Sequence, residues 1–306
     1  MMTLTHEARL IGELSSPNIG TQVICLASIH GNEQAGVAAV RRIFKQLRSK
    51  NKFQKGRLVG LIGNLKALSR GERFIHSDLN RMWSSALIQQ AKDKTAIERL
   101  VEEQELFDLY NTIYQLVDGY TGPSVLIDLH TTSASGGAFS IIPGNEKSRN
   151  LASCLQVPII SGVEKVLKTT ILSYFNHHNL PSLAFEAGQH YDPQSALNME
   201  AALWITMSNY DMIENSCDIV IDSVETLNKA VDGDMPANLE FLYRHPVTET
   251  SKFRMKPGFI NFMPVFKGQH LADDVYGPVL APHDALILMP LYQSQGEDGF
   301  FLVKKN

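Results

Sequence analysis

The chain has 306 residues, a length that can bury roughly three quarters of its unfolded surface, so neither disulfides nor a metal is required merely to fold it. Its formal net charge of −4 at pH 7 comes without any long run of Lys or Arg, which argues against nucleic acid and anionic membrane surfaces as partners. With 44% hydrophobic and 20% charged residues and no apolar run near the ~18 residues a membrane helix needs, the composition is that of a soluble globular protein.

The segment Met1 to Leu10 has no basic stretch leading into a sustained apolar one, so no signal peptide is expected and the expected location is the cytoplasm. Beyond it, short apolar runs alternate with helical patterns, as they do in α/β layering around a largely parallel sheet. The predicted strands are 22–28, 57–62, 124–129, 138–142, 157–161 and 182–186. Between them, Val37, Val40, Phe44 and Leu47 recur at helical spacing in 34–48, with Arg and Lys on the outer face. Further helices are expected over 96–117, where Leu100, Leu106, Leu109, Ile113 and Leu116 form a stripe, and over about 195–208.

Past about residue 235 the character changes to short β-like segments punctuated by Pro246, Pro257, Gly258, Pro264, Gly268, Gly277, Pro278, Pro282 and Pro290. This predicts a catalytic domain over 1–234 and a smaller all-β domain over 235–306, divided near Asp232-Gly233-Asp234. The stretch 265–284 also resembles the barrel-sandwich pattern of biotinyl and lipoyl carriers. No lysine lies between Lys267 and Lys304, so a lid or an oligomer contact is the expected role, and a homo-oligomer is compatible with it. The three cysteines, Cys25, Cys154 and Cys217, fit neither a disulfide framework nor a Cys-rich zinc site and read as buried small hydrophobes.

The chemistry concentrates at strand ends. Ser28-Ile29-His30-Gly31-Asn32-Glu33 follows the first predicted strand and opens a helix, so His30 and Glu33 can point at one ion across a turn. Almost a hundred residues later, Asp128-Leu129-His130-Thr131-Thr132 again sets a histidine at the carboxyl end of an apolar strand. His, Glu and His with an open fourth position is a catalytic zinc arrangement, and imidazole ligands disfavour magnesium. A histidine after a strand is also commonly a hydrogen-bonded structural residue. Leu183-Ala184-Phe185-Glu186 drives a third strand into a carboxylate, which desolvation would turn into a base; the plain alternative is a salt bridge or a helix cap. The loop Arg70 to Arg81 gathers Arg70, Arg73, Arg81 and Asn80, suited to a carboxylate or an oxyanion, or simply to a solvated surface.

His30-Gly31-Asn32-Glu33, Asp78-Leu79-Asn80-Arg81, Asp128-Leu129-His130-Thr131-Thr132 and Phe185-Glu186 together resemble, in order and spacing, the succinylglutamate desuccinylase/aspartoacylase family of the zinc-carboxypeptidase-like superfamily. The resemblance implies that superfamily's mixed, largely parallel sheet flanked by helices, with a C-terminal β domain, and one Zn²⁺ per chain. It makes His30, Glu33 and His130 the zinc ligands and Glu186 the general acid and base, with Arg73 at the scissile carbonyl and Asn80 and Arg81 on a substrate carboxylate. Asp128 would orient a group at the metal site. Two family features are missing: an arginine about ten residues ahead of the catalytic glutamate, where this chain reads Tyr174-Phe175-Asn176-His177-His178-Asn179, and a C-terminal tyrosine, where it reads Gln295 to Phe301. The implied activity is amide hydrolysis of a small N-acyl amino acid or related acidic compound. The alternatives are a zinc carboxypeptidase acting on peptides and a metal- or ligand-binding protein without turnover. Among the other histidines, His76 and His190 lie closest to these motifs.

Overall fold

The computed structural model describes residues 9–50, 53–214, 217–231 and 235–306. The N-terminal part of the sheet is built on β1 (Leu10–Ser15), β2 (Gln22–Ala27), β3 (Arg57–Ile62), β4 (Ser124–Thr132), β5 (Phe139–Ile142), β6 (Ile159–Ser161) and β7 (Ser182–Gln189). These strands stand in the order β1-β3-β2-β4-β7-β5-β6 within one 11-stranded sheet. The pairs β3/β2, β2/β4 and β4/β7 are parallel, whereas β1 and β5 run antiparallel to their inner neighbours β3 and β7. Every residue of β2 is buried, as expected of a parallel strand covered on both faces. Because successive side chains alternate, Val23, Cys25, Ile127, Leu183 and Phe185 enter one core and Ile24, Leu26, Leu126 and Ala184 the other.

The first core is closed by α1 (Ala35–Lys50). The helices α2 (Leu65–Arg70), α3 (Ser85–Asp93) and α4 (Val101–Asp118) follow β3, and α4 closes the second core with Leu106, Leu109, Ile113 and Leu116. Residues 96–100, expected at the start of a long helix, lie outside α4; the backbone N–H of Leu100 donates to the Glu103 carboxylate at 2.8 Å and the helix starts there. Glu102 and Glu105 of α4 are buried acceptors of loop N–H groups. Glu105 takes those of Leu65 and Lys66 and pairs with buried Arg9 at 2.6 Å, while Glu102 takes those of Ile75 and His76 at 2.6 and 3.0 Å. These bonds fix the loop that carries Arg73, Asp78 and Arg81.

Five short helices escape the sequence periodicity: α2 and α3, then α5 (Glu146–Ser153), α6 (Val163–Val166) and α7 (Ile171–His177). The expected 195–208 helix is α8 (Pro193–Asn209), capped by Asp192 with proline in its first turn and buried along most of its length. It is covered by a further unanticipated helix, α9 (Asp218–Ala230). Cys25 and Cys217 are buried as expected, and Cys154 is half-buried.

The proposed boundary at Asp232-Gly233-Asp234 lies outside the described residues. Beyond it come only strands and one 3-10 turn at Glu249–Ser251. The strands are β8 (Asn238–Pro246), β9 (Arg254–Met255), β10 (Pro264–Val265), β11 (His270–Asp274), β12 (Gly277–Leu280), β13 (Ala285–Leu288) and β14 (Asp298–Lys305). Four of them extend the main sheet, because β8 pairs parallel with β6 and the order continues β8-β14-β13-β10; β12-β11-β9 form a separate small sheet. Among the described residues no helix is long and apolar enough to cross a membrane.

Candidate metal centre and its cavity

The carboxyl ends of β2, β4 and β7 come together because the three strands are adjacent and parallel, with Ala27 level with Leu129 and His130 level with Glu186. The turn after β2 is fixed by contact. A Cβ at Gly31 would stand 2.1 Å from the Ala67 carbonyl carbon, so only glycine lets α2 approach, and the Gly31 N–H donates to the Arg73 carbonyl at 3.1 Å. Ser28, at φ 54°, donates its hydroxyl to the Glu33 carbonyl at 2.7 Å, which closes the turn between the two predicted ligands.

His30, Glu33 and His130 are all buried, and one donor atom from each lies within 4.8 Å of the others. Both histidines aim Nδ1 at the same carboxylate, His30 at 2.7 Å from Glu33 Oε1 and His130 at 3.2 Å from Glu33 Oε2. Each Nε2 faces a second buried carboxylate: Asp78 at 3.2 Å behind His30, Asp128 at 2.7 Å behind His130. A carboxylate behind each imidazole is the arrangement that fixes the tautomer of a metal ligand and raises its basicity. With neutral imidazoles, the carboxylates of Glu33, Asp78 and Asp128 are opposed chiefly by Arg73, which holds Asp78 through Nε and Nη2 at 3.2 and 2.9 Å and comes to 3.7 Å from Glu33, with Arg81 adding to it at Asp78. Donor types and charge thus fit a divalent cation with nitrogen and oxygen ligands. Burial opposes the ionised forms of Glu33 and Asp78, yet the neighbouring histidines and, for Asp78, Arg73 hold both carboxyls well below their usual range. Burial likewise opposes charge on His130, but Asp128 and Glu33 raise it well above the ordinary histidine value.

The donors line one cavity together with Arg73, Asn80, Arg81, Glu186 and His190. Glu186 is 6% exposed, and its Oε2 is buried without a hydrogen-bond partner among the described residues. Burial, reinforced by Glu33 and Asp128 against the pull of His130, pushes this carboxyl up to about 8. Asn80 is anchored, its Oδ1 accepting the Ile171 N–H at 3.0 Å and its own N–H donating to Asp78. Arg81 is committed in part: it donates to the Asn80 carbonyl and to Asp298 of β14, while its buried Nε has no partner among the described residues. Arg70 and His76, by contrast, are exposed.

Residues 19–189 match the model of the succinylglutamate desuccinylase/aspartoacylase catalytic domain. The chain belongs to that family. It is 25% identical over 282 residues to a succinylglutamate desuccinylase of Ectopseudomonas mendocina, covering 89% of this chain and 79% of the relative. It is 27% identical over 230 residues to a probable aspartoacylase of a Nostoc species, covering 73% and 70%. Its fold matches the crystal structure of the succinylglutamate desuccinylase from Chromobacterium violaceum with a TM-score of 0.66 at 16% identity, over 98% of this chain and 95% of that one. The ectoine utilization protein EutE (DoeB) from Ruegeria pomeroyi matches with 0.65 at 15% identity, over 95% and 86%.

Set in this family, the chain fills its two missing positions with other groups. The stretch that lacks the arginine falls largely on α7, where Phe175 packs against Trp83 with ring centroids 5.5 Å apart and Asn176 accepts from Asn145. Toward the C-terminal end, Gln293 also lines the cavity. Its Oε1 accepts from Asn32 Nδ2 at 2.9 Å and from His190 Nε2 at 3.1 Å, and Thr131 Oγ1 lies 2.7 Å from His190 Nδ1. Gln295 spans the loop at Arg73, accepting its N–H and donating to the Phe74 carbonyl. Asp78 was readable within the Asp-Leu-Asn-Arg motif. Gln293, Gln295 and Asp298 carry no sequence signal, since nothing local marks a residue whose partner lies two hundred positions away.

Proposed function

We propose that the chain is a zinc-dependent deacylase that hydrolyses the amide bond of a small N-acyl amino acid. The observation that carries this reading is one cavity holding three converging buried donors, a buried carboxyl with an unpaired oxygen, and a buried arginine Nε with no acceptor. Family membership supports the same reaction class. Zinc held by His30, Glu33 and His130 would supply Lewis acidity toward a water and the scissile carbonyl.

The chain's own groups divide the remaining work. Glu186 takes the proton of the attacking water at its unpaired Oε2, since a carboxyl raised toward neutral pH accepts and returns a proton readily. It then delivers that proton to the leaving amine. Arg73, beside Glu33 and locked in orientation by Asp78, offers N–H groups to the oxygen that gains charge. Arg81 Nε and Asn80 hold the substrate's carboxylate, which satisfies a donor that burial otherwise leaves unpaired. Residues 1–234 carry this chemistry, and 235–306 contribute Gln293, Asp298 and the cavity's outer wall. Zinc-loaded protein assayed on N-acyl amino acids and on peptides longer than a dipeptide tests the proposal. Release of free amino acid from the former supports it, and turnover confined to peptides replaces it with a carboxypeptidase.

A further inference from the structure

The cavity also has an apolar wall, formed by Ile141 of β5, Ala184 of β7, Phe301 of β14, Val163 of α6, Leu167, and Leu172 in the first turn of α7, all members of one buried cluster. Among the described residues no Lys lines the cavity, and its guanidiniums are Arg73, which Asp78 holds at the donor end, and Arg81, shared with Asp298. Glu33, Glu186, Glu297 and Asp298 also line it, so the cavity walls hold four carboxylates against two guanidiniums. After Leu172, α7 turns away: Tyr174 and Phe175 pack on Trp83, with centroids 5.9 and 5.5 Å from it. None of the six residues that wall this lobe offers a second substrate carboxylate a cation. Such a carboxylate would lose its hydration against hydrocarbon beside other negative charge. An aliphatic or aromatic group there is stabilised in proportion to the area it buries.

Resting on the deacylase reading, we infer that the substrate carries one carboxylate and one apolar group, the apolar group filling the lobe formed by Ile141, Val163, Leu167, Leu172, Ala184 and Phe301. The class is N-acyl apolar amino acids, or acyl chains of that character on an amino acid, in place of doubly acidic compounds. The apolar group can belong to the amino acid or to the acyl chain, and the assay separates the two.

Zinc-loaded wild-type protein is given N-acetyl-L-leucine, N-acetyl-L-phenylalanine, N-hexanoylglycine, N-acetyl-L-aspartate and N-succinyl-L-glutamate. The expected kcat/KM favours at least one of the first three by ~30-fold or more over the last two, given the cost of placing an unpaired charge in an apolar lobe. Preference for the N-acetyl apolar amino acids places the amino-acid side chain in the lobe, and preference for N-hexanoylglycine places the acyl chain there. Leu172→Arg is expected to reverse the order toward the acidic compounds. In parallel, calorimetry on zinc-loaded Glu186→Gln compares binding of N-acetyl-L-leucine, N-hexanoylglycine and N-acetyl-L-aspartate. Faster turnover or tighter binding of the doubly acidic compounds overturns the inference and leaves the deacylase reading intact. Apolar-selective binding with no turnover of any compound by the wild type overturns the deacylase reading and supports the lobe's assignment. Equal binding of all three ligands overturns the inference.

Discussion

The two ends of the cavity are built in different ways. At the donor end, His30, Glu33, His130 and Glu186 arrive from three adjacent parallel strands, and Asp78, Asp128 and the Thr131 N–H hold their atoms in place. Each of the three donors there has fixed partners, and the whole set, Glu186 included, is buried. The far end is assembled from distant pieces: α6 and α7 from the middle of the chain, and Gln293, Asp298 and Phe301 from its last strands and turns. There the polar groups are few and partly spent on one another, and the wall is hydrocarbon. A fold that keeps its reaction chemistry on strand ends and its selectivity on late, long-range elements can change substrate without disturbing the reaction.

The comparison breaks first at His130. His130→Ala removes one of three donors and leaves Asp128 facing an empty site, so zinc content should fall from about one per chain to a small fraction and deacylase activity by ~10³-fold or more. Metal analysis after gel filtration, with circular dichroism to verify folding, checks this. Full occupancy in that variant would take His130 out of the donor set.

Glu186→Gln separates chemistry from metal binding. Its side chain makes no hydrogen bond to the donors, so zinc should stay while kcat falls by at least ~10²-fold, the scale of a lost general base. Stability supplies an independent readout. In metal-free wild type the folded chain holds Glu186 protonated up to about pH 8, whereas in the unfolded chain the carboxyl ionises near its usual 4.5. Folding is therefore progressively disfavoured as pH rises through that window, because the unfolded state releases a proton that the folded state retains. The melting temperature of metal-free wild type should fall between these pH values more steeply than that of Glu186→Gln. Parallel curves would mean that Glu186 does not titrate there.

Asp128→Asn tests whether the buried carboxylates sharpen the donor end or merely fill it. An amide at 2.7 Å from His130 Nε2 no longer stabilises charge on the ring and can present the wrong group to it. Zinc affinity, measured by competition with a chromophoric chelator, should weaken by ~10–100-fold with little change in fold. An unchanged affinity would show that the position of His130 is set by β4 alone.

What was legible in the sequence follows the same division. β2, β3, β4 and β7 were found within a few residues because each is a continuous apolar run bounded by turns, and their carboxyl ends advertised His30, His130 and Glu186. Short helices such as α7 were not found, since Ile171, Leu172 and Phe175 span too few turns to establish a period and owe their burial to Trp83 and the sheet. The Arg73 to Arg81 loop was visible as a cluster of charges, but which arginines face inward was not. Glu102, packed beneath the loop, makes that choice by binding the N–H groups of Ile75 and His76, and leaves Arg70 in solvent. Arg81's tie to Asp298 could not be read, because two residues 217 positions apart share no local signature.

That tie sets the smallest expected effect. Asp298 accepts from both Arg81 and Arg244; burial alone would raise its carboxyl, but the two guanidiniums hold it below the usual range. In Asp298→Asn the amide oxygen still accepts a hydrogen bond, so Arg81 stays in place while the competing negative charge is gone. Two partly buried guanidiniums then lack an anion, and stability at neutral pH should drop by about 2 kcal/mol. Because the folded pKa is depressed, this difference from wild type should vanish as pH falls through the folded value and Asp298 itself becomes protonated. Catalysis should move the other way. An Arg81 relieved of its carboxylate partner attracts the substrate's carboxylate more strongly, so KM for an N-acyl amino acid should fall by ~3-fold with kcat nearly constant, the modest scale of a partly screened charge. The matching N-acyl amino acid amide, which has no carboxylate to offer, should show no such gain. A KM that rises instead, with acid and amide affected alike, would assign Asp298 to shaping the cavity wall and remove Arg81 from substrate recognition.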